Sequence, residues 1–282
     1  MKRPIWVAIL LGVVQGLAEF LPISSSGHLV LVQSLVDFHQ YGADHVTFDV
    51  ILHLGTLTAV VVAFWSDVKS LVVEFIKMLF DGFKLRKRPY RRMVVMVIVA
   101  TLPLVIGALL ENLLESAFTS TLVVGLGLIF TAGVLWTSSK VADKREKEGY
   151  GGKDASNAKF SDALKVGLMQ LLALLPGVSR SGSTICGGQF CGFSRDFAVR
   201  FAFIMSIPAV LGSVVFKLDD ILEMGMEPGL LVPSLVGFAV SAVSGYLAII
   251  LVRVLTKKNS FRYFSVYCAV VGIITVIANL IK

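Results

Sequence analysis

The stretch GVVQGLAEFLPISSSG at residues 12–27 returns 155 residues later as GLMQLLALLPGVSRSG at residues 167–182. Seven of the sixteen aligned positions are identical without a gap, and a proline interrupts each copy. Chance is a poor explanation for agreement of this length. The repeat indicates that the chain consists of two halves that share one structural plan.

Each copy of the repeat lies in an apolar region, 5–35 or 161–192, that Pro, Gly and Ser residues break in the middle. An α-helix rises about 1.5 Å per residue, so the pieces beside each break are too short to cross a bilayer core of about 30 Å. We therefore predict two re-entrant helical hairpins. Each hairpin is expected to enter the membrane halfway and to return on the same side.

The composition indicates an integral membrane protein. Hydrophobic residues make up 56% of the chain and charged residues only 16%, with a mean hydropathy of +0.82. A soluble domain is normally about a quarter charged. Besides the two hairpins, six segments have the length and apolar character of a spanning helix. These are 46–65, 93–110, 121–138, 197–218, 229–256 and 261–281, and an amphipathic piece at 68–83 is predicted to lie at the membrane interface. The expected fold class is thus an all-α inverted-repeat bundle with about six transmembrane helices.

The net charge of +7 is concentrated in the segments 66–92, 139–160 and 253–262, which separate apolar regions. This distribution favours cytoplasmic loops over a nucleic-acid partner, and we expect no nucleic-acid binding. The three cysteines lie in apolar surroundings and show no CxxC spacing, which is typical of core residues.

The charge pattern also predicts the topology. Basic loops are expected in the cytoplasm and the alternate, acidic loops outside, which places both termini on the outer side. Three spans then separate the hairpins, so the first opens outward and the second toward the cytoplasm. We expect a first repeat at 1–138, a cytoplasmic linker at 139–160 and a second repeat at 161–282. Inverted repeats with interrupted helices place a binding site near the membrane midplane, where the breaks meet.

Polar residues cluster at the break of the first hairpin. Gln15 and Glu19 are four residues apart and therefore share one helical face. After Pro22, the run 24–27 (SSSG) opens the next helix with exposed N–H groups and hydroxyls, which is an anion site at a helix N-terminus. His28 follows within the first turn.

The second hairpin repeats this arrangement as PGVSRSGST at 176–184, with Arg180 aligned to Ser25. An ionised Glu or Arg at bilayer depth costs roughly 2.5 to 3.5 kcal/mol, so both Glu19 and Arg180 should face protein or water. One interpretation is a structural ion pair that locks the hairpins together, with the serines as ordinary helix caps.

The other interpretation is a phosphate site. Arg180 would clamp a phosphate with its planar fork, while Glu19 would bind a divalent metal or act as a base. The remaining polar residues would line the site, with capping as the alternative for the two serines of the second hairpin. These lining residues are Gln15, Ser24, Ser26, Gln170, Ser179, Ser181 and Thr184.

Two further pairs with helical spacing carry predictions. Asp49 and His53 share one face of the first span, and either a supporting role at the site or a hydrated pair is consistent with that position. Gly12 and Gly16 have the spacing of a small-residue interface and are expected to permit close helix packing.

The motifs in the two hairpins resemble those of a known family. The sequence from Gln15 to Glu19 (QGLAE), followed by the serine cluster and His28, is similar to the bacterial undecaprenyl-pyrophosphate phosphatases, known as bacitracin-resistance proteins. PGVSRSGST matches as well, and the similarity extends through nearly the whole chain, including FDVILHLGTL at 48–57 and FSRDFAVRFAFIMSIP at 193–208.

The resemblance implies a multi-pass enzyme of the bacterial inner membrane that removes the terminal phosphate of undecaprenyl diphosphate and so recycles the lipid carrier for envelope polymers. It implies a site that opens to the periplasm and an activity that depends on Mg²⁺ or Ca²⁺. It maps the family's essential acid, serine, histidine and arginine to Glu19, Ser25, His28 and Arg180. Gln15 stands where many members carry Glu, which puts a metal-ligand role for that position in doubt.

The residues leave three points open. The nucleophile can be Ser25, His28 or water, and a homodimer is one possible assembly. An alternating-access carrier of polyprenyl phosphate or another anion is the alternative function, because such carriers also use inverted repeats with broken helices. Acid phosphatases with an SGH segment are excluded, because they need a second histidine downstream of a Ser-Arg pair and all four histidines lie at or before position 53.

Overall fold

The computed structural model describes residues 5–35, 45–82, 88–109, 117, 120–216, 231–258 and 261–281. Helices dominate these ranges, and within them no strand forms beyond an isolated bridge between Lys153 and Phe193. The helices are α1 (Ile5–Phe20), α2 (Ser25–Leu35), α3 (His45–Ala63), α4 (Trp65–Phe80), α5 (Pro89–Thr101), α6 (Leu104–Leu109), α7 (Thr121–Lys147), α8 (Phe160–Leu172), α9 (Arg180–Phe190), α10 (Arg195–Phe216), α11 (Leu231–Lys257) and α12 (Phe261–Ile281).

Both predicted hairpins form. Helices α1 and α2 pack against each other, as do α8 and α9. With 16, 11, 13 and 11 residues, each helix is shorter than a bilayer core of about 30 Å at about 1.5 Å per residue. The backbone reverses through a left-handed residue in each break, Ser24 with φ 72° in the first hairpin and Gly177 with φ 84° in the second.

Within the described ranges, five helices are long and apolar enough to span a membrane, namely 89–107, α7, 195–215, α11 and α12. The remaining predicted span, 46–65, corresponds to α3. Helix α3 is joined to α4 at Phe64 with a bend of 89°. Together with the large apolar side chains that α11 and α12 expose, this confirms an integral membrane helical bundle. The predicted outward loops at 36–44, 110–116 and 217–230 lie outside the described residues, as do residues 83–87 of the first basic segment.

The predicted spans differ from the helices mainly next to the basic segments. Helix α7 continues nine residues past the predicted end at 138, through Lys147, because the Lys-, Glu- and Arg-rich sequence there is a good helix former in water. Helix α5 begins at Pro89, four residues before the predicted start, because proline is favoured at the first helical position. Hydropathy marks only the apolar part of a helix and therefore misses both extensions.

Glycines set the closest helix contacts, as predicted for Gly12 and Gly16. A Cβ at Gly12 would lie 2.9 Å from the Gly237 carbonyl oxygen of α11, and one at Gly16 would lie 2.6 Å from the Ser241 oxygen. Gly167, the repeat partner of Gly12, meets α5 in the same way, with 2.3 Å to the Ala100 oxygen. The repeated glycine therefore serves one purpose in both halves, which is the close approach of a hairpin helix to a spanning helix.

The three basic segments meet at one end of the bundle. Arg92 donates to the Ala155 and Ala158 carbonyl oxygens of the linker, which joins the first segment to the second. Arg262 pairs with Asp143 and thereby joins the third segment to the second. Lys153 in the linker also bonds the Cys191 oxygen at the end of α9. We call this end of the bundle the basic end.

The two hairpins enter from opposite ends. Helix α8 begins at the basic end, where the Arg92 guanidinium lies over the Phe160 ring. Helix α11 finishes at the basic end, since its Lys257 oxygen accepts from Arg195. Helix α1 runs parallel to α11, because Gly12 faces Gly237 and Gly16 faces the following turns. Helix α1 therefore starts at the other end, as an inverted repeat requires.

Candidate active site

The two breaks share one capping geometry, so the sequence repeat at these positions is matched by the same local contacts. Ser24 Oγ lies 3.3 Å from Ser26 Oγ and accepts from the Gly27 N–H at 3.2 Å. The equivalent Ser179 Oγ lies 3.3 Å from Ser181 Oγ and accepts from the Gly182 N–H at 3.1 Å. Each serine at the start of a helix thus satisfies one of the N–H groups that a helix leaves without a partner.

Side chains from α7 and α12 hold the breaks in place. Thr131 of α7 donates to the Gly177 carbonyl oxygen at 3.2 Å and accepts from the Ser179 N–H at 3.0 Å. On the other side, the Cys268 thiol of α12 lies 3.6 Å from the Pro22 oxygen. Both breaks are therefore tied to spanning helices that pack against each other.

Glu19 is the centre of the site. Its carboxylate is buried, with 6% of the side chain exposed. Oε2 accepts from the Ser25 hydroxyl at 2.7 Å and from Gln15 Nε2 at 3.1 Å. Both donors belong to the first hairpin, so the serine cluster and the acid predicted from the motif do lie together.

Arg180 reaches Glu19 from the second hairpin. Its guanidinium pairs with Oε1 of Glu19 across 161 positions of sequence, and 26% of its side chain is exposed. Next to it, the Ser181 hydroxyl donates to the Leu21 oxygen at 3.1 Å, which joins the two breaks a second time. A cation, a carboxylate and a hydroxyl therefore converge where the hairpins meet, and the arginine stays accessible to an anion.

His28 sits on the first turn of α2 with both ring nitrogens engaged. Nδ1 lies 2.8 Å from the Ser24 carbonyl oxygen, and Nε2 lies 2.7 Å from the hydroxyl oxygen of Tyr267 on α12. Tyr267 is not predicted from the sequence, because a lone tyrosine in a spanning helix belongs to no motif. Only its proximity to His28 in space distinguishes it.

His53 also belongs to this region. Its Nε2 lies 3.9 Å from Glu19 Oε2, and its Nδ1 lies 2.8 Å from the Asp49 carbonyl oxygen. The sequence left two roles open for Asp49 and His53, a supporting role at the site or a hydrated pair. The position of His53 supports the role at the site. Asp49 contributes its backbone carbonyl oxygen to this contact with His53.

The other predicted lining residues differ in the contacts that they make. Gln15 contacts Glu19, whereas Gln170 is 1% exposed and its amide atoms have no hydrogen-bond partner within the described parts of the chain. Thr184 turns its hydroxyl to the Arg180 carbonyl oxygen of its own helix at 2.8 Å, and Ser179 acts as a cap. The described residues therefore give Thr184 and Ser179 backbone contacts and leave Gln170 with unused hydrogen-bonding capacity.

The donor set does not fit a metal site made of protein ligands alone. No group of three or more His, Cys, Asp or Glu side chains that could hold a metal occurs among the described residues. Glu19 is a single carboxylate that already accepts from Ser25, Gln15 and Arg180. Magnesium is commonly held by one or two carboxylates together with substrate phosphates, and one carboxylate with a diphosphate would satisfy that pattern.

The fold and the site define a class, a membrane-embedded protein in which two opposed re-entrant hairpins bring an arginine, a glutamate and a serine together at a phosphate-compatible site. The family model for bacitracin resistance protein BacA matches residues 8–274, and the chain belongs to that family.

Curated relatives agree with this assignment. An undecaprenyl-diphosphatase of Alkaliphilus metalliredigens is 40% identical over 281 residues, covering 97% of this chain and 98% of the relative. One of Methanosphaera stadtmanae is 41% identical over 283 residues, with the same two coverages of 97% and 98%. One of Rubrobacter xylanophilus is 41% identical over 263 residues, covering 92% and 93%.

Proposed function

We propose that the protein is an undecaprenyl-diphosphatase, which hydrolyses a polyprenyl diphosphate to the monophosphate and inorganic phosphate. The observation that carries the proposal is the convergence of Arg180, Glu19 and Ser25 from two hairpins at one point. A structural ion pair alone would need neither the serine on the carboxylate nor the histidine beside it. The activity named for three relatives that share 40 to 41% identity supports the same conclusion.

Ser25 is the nucleophile that this geometry favours. Its hydroxyl already donates to Glu19 Oε2 at 2.7 Å, which is the arrangement of a nucleophile with its base. Both nitrogens of His28 are engaged, which leaves that residue a proton-transfer role. Glu19 takes the Ser25 proton as Oγ forms a bond to the terminal phosphorus, and the bond from phosphorus to the bridging oxygen breaks to release polyprenyl monophosphate.

The second half of the reaction regenerates the serine. Water attacks the phosphoserine, and the bond from Ser25 Oγ to phosphorus breaks. Glu19 returns its proton to Oγ, the proton of the water passes to His28, and inorganic phosphate leaves. Phosphoryl transfer requires mainly positioning and charge stabilisation, and the fork of Arg180 supplies both to the phosphate oxygens. When the substrate binds, its phosphate therefore replaces Glu19 as the partner of Arg180.

The divalent cation, Mg²⁺ or Ca²⁺, enters in this proposal with the diphosphate. This follows from the donor set, since Glu19 alone among the described acidic residues lies in the cluster with Ser25 and Arg180. The protein would contribute one carboxylate and the substrate the remaining oxygens.

The orientation is proposed from the basic end. Segments rich in Lys and Arg are retained in the cytoplasm, so the end formed by 88–92, 139–160 and 253–258 is assigned to the cytoplasm. The first hairpin enters from the opposite end, which supports a site that opens to the periplasm and periplasmic termini. A homodimer stays a prediction that a size measurement in detergent would test.

The proposed activity is tested by phosphate release. Purified protein in detergent, given undecaprenyl diphosphate and Mg²⁺, should release inorganic phosphate, and Arg180→Ala should abolish the release. Arg180→Lys should restore only a small part, because an ammonium lacks the bidentate fork. Arg262→Ala serves as the matched control, since Arg262 pairs with Asp143 at the basic end and should leave the rate unchanged.

Two outcomes would contradict the proposal: no phosphate release by the wild type, or an undiminished rate for Arg180→Ala. Lipid translocation in reconstituted vesicles without phosphate release would favour the alternative carrier function.

A further inference from the structure

The tautomer of His28 follows from its two contacts. A carbonyl oxygen can only accept a hydrogen bond, so the Nδ1 atom that lies 2.8 Å from the Ser24 oxygen carries the hydrogen. In the neutral ring Nε2 is then the acceptor. The Tyr267 hydroxyl, at 2.7 Å, is its donor. The Tyr267 hydroxyl of α12 is therefore the partner of Nε2, which is the nitrogen that takes up a proton when the neutral ring becomes charged.

The contact between His28 and Tyr267 combines ring stacking with a hydrogen bond. The His28 and Tyr267 rings are stacked, with centroids 5.6 Å apart and planes inclined by 13°. The neighbouring residue Cys268 holds the Pro22 oxygen, so two successive residues of α12 secure the same hairpin break. A phenylalanine would preserve the stack, and only the hydroxyl of Tyr267 accounts for the contact with Nε2.

No other described cation or anion competes for Nε2. The facing part of α7, from Thr121 to Ser139, contains no charged residue, and α2 contains none besides His28. The single charged residue of α12 is Arg262, which bonds Asp143 and Ser139.

The charged and titratable side chains that the site draws from other elements have partners of their own. Glu19 of α1 and Arg180 of α9 pair with each other. His53 of α3 lies beside Glu19, at 3.9 Å from its Oε2. Among the described groups, the Tyr267 hydroxyl is therefore the one that contacts His28 Nε2.

We propose that Tyr267 is a positioning residue of the site, whose hydroxyl holds His28 in the Nδ1–H tautomer and is the last member of the proton path to Nε2. The inference rests on the proposed phosphatase function. When water hydrolyses the phosphoserine, the hydroxyl oxygen of Tyr267 accepts the released proton and passes its own hydrogen to Nε2. The O–H bond of the water breaks as a new O–H bond forms on Tyr267, and the original Tyr267 O–H bond breaks as the Nε2–H bond forms. The new Nε2–H then donates to the same oxygen.

This arrangement also disfavours His28 as the nucleophile. Attack on phosphorus would need the Nε2 lone pair, and the Tyr267 hydroxyl occupies it.

The kinetic test uses Tyr267→Phe, with Tyr263→Phe as the matched control. Tyr263 lies one turn earlier on α12 and is 78% exposed. We expect kcat for phosphate release to fall roughly tenfold in Tyr267→Phe, a part of the 10² to 10⁴ that acid–base catalysis typically contributes, with KM nearly unchanged. The pH profile of kcat should shift in Tyr267→Phe and not in Tyr263→Phe.

A double-mutant cycle separates positioning from a structural role. If Tyr267 acts through His28, adding Tyr267→Phe to His28→Gln should produce no further loss of kcat. Additive losses, or an equal pH profile for Tyr267→Phe and Tyr263→Phe, would overturn the inference while leaving the phosphatase proposal intact.

A spectroscopic readout does not depend on activity. In protein labelled with ¹⁵N histidine, the His28 resonances, assigned by their loss in His28→Gln, should show a protonated Nδ1 and an unprotonated Nε2 at high pH. The Nε2 resonance should move in Tyr267→Phe. An Nε2–H tautomer in the wild type, or an unmoved resonance in Tyr267→Phe, would overturn the inference even if the wild type released no phosphate and the proposed function itself had failed.

Discussion

At the scale of single residues, the site is organised around one buried carboxylate that has three donors. Ser25, Gln15 and Arg180 all contact Glu19, and two of these three come from the same hairpin. The paired arginine offsets part of the cost of burying the negative charge. In the proposed reaction the same arginine turns to the phosphate of the substrate. Arg180 therefore pairs with Glu19 in the resting site and with the phosphate during catalysis.

Ser25→Ala should abolish phosphate release and also the covalent intermediate. Wild-type protein quenched in acid during turnover should carry one added phosphate on Ser25, detected by mass spectrometry of the peptide. Ser70→Ala is the control, because the Ser70 hydroxyl donates to the Ser66 carbonyl oxygen of α4 and lies away from the two breaks. Phosphate on His28 would reassign the nucleophile, and the absence of any phospho-enzyme would favour direct attack by water.

Gln15→Glu should change the metal dependence. The substitution places a second carboxylate where Gln15 Nε2 now donates to Glu19 at 3.1 Å, and two like charges at that distance repel unless a cation lies between them. We expect lower activity without added metal and half-maximal activity at a lower Mg²⁺ concentration than for the wild type. Unaltered Mg²⁺ dependence in a titration of phosphate release would contradict the assignment of the cation to Glu19.

At the scale of elements, the hairpins depend on close contacts with spanning helices. Small residues let α1 approach α11 and α8 approach α5 until backbone oxygens lie within van der Waals range of the glycine. This approach brings the Gln15–Glu19 face to the centre of the bundle. The repeated Gly12 and Gly167 therefore help to position the site by letting the hairpin helices pack closely, although neither takes part in the chemistry.

Gly16→Ala should destabilise the protein. The added Cβ would lie 2.6 Å from the Ser241 oxygen, a backbone atom that cannot give way cheaply, and overpacking of this kind typically costs about 1–3 kcal/mol. The unfolding temperature in detergent should fall. Gly133→Ala on α7 is the control, since a Cβ there meets nothing within 4 Å, and its unfolding temperature should be unchanged or slightly raised. Equal unfolding temperatures for the two variants would show that α1 and α11 are not tightly packed.

At the scale of the whole molecule, hydrogen bonds and ion pairs gather the three basic segments at one end of the bundle. Residues 88–92, the linker and the end of α11 come together around Arg92, Asp143 and Arg195. Because these groups lie at one end and α1 starts at the other, the hairpins oppose each other and their breaks meet within the bundle.

A single cysteine at position 151 should report the orientation. Gly151 is exposed in the linker and a Cβ there meets nothing within 4 Å, so Gly151→Cys should not disturb the fold. In a variant whose three native cysteines are replaced by alanine, a membrane-impermeant maleimide should label the cysteine only after the cells are permeabilised. Labelling of intact spheroplasts would place the basic end outside and refute the proposed topology.

Much of the architecture could be predicted from the sequence. Hydropathy located the spanning segments, proline and serine located the two breaks, and the repeat showed that the breaks are equivalent. The ends of α5 and α7 were missed, because helices continue into water wherever the residues permit and hydropathy is silent there. The 89° bend after α3 was not predicted either, although the amphipathic piece that follows it was.

The sequence by itself determined the candidate site residues of the two breaks, because helical spacing, caps and chain breaks are local properties that short stretches encode. Only the tertiary structure decided which of them meet. The pairing of Arg180 with Glu19, the place of His53 beside them and the contact of Tyr267 with His28 join residues 161, 34 and 239 positions apart. No spacing rule connects such positions, because their distance depends on which helix faces pack together.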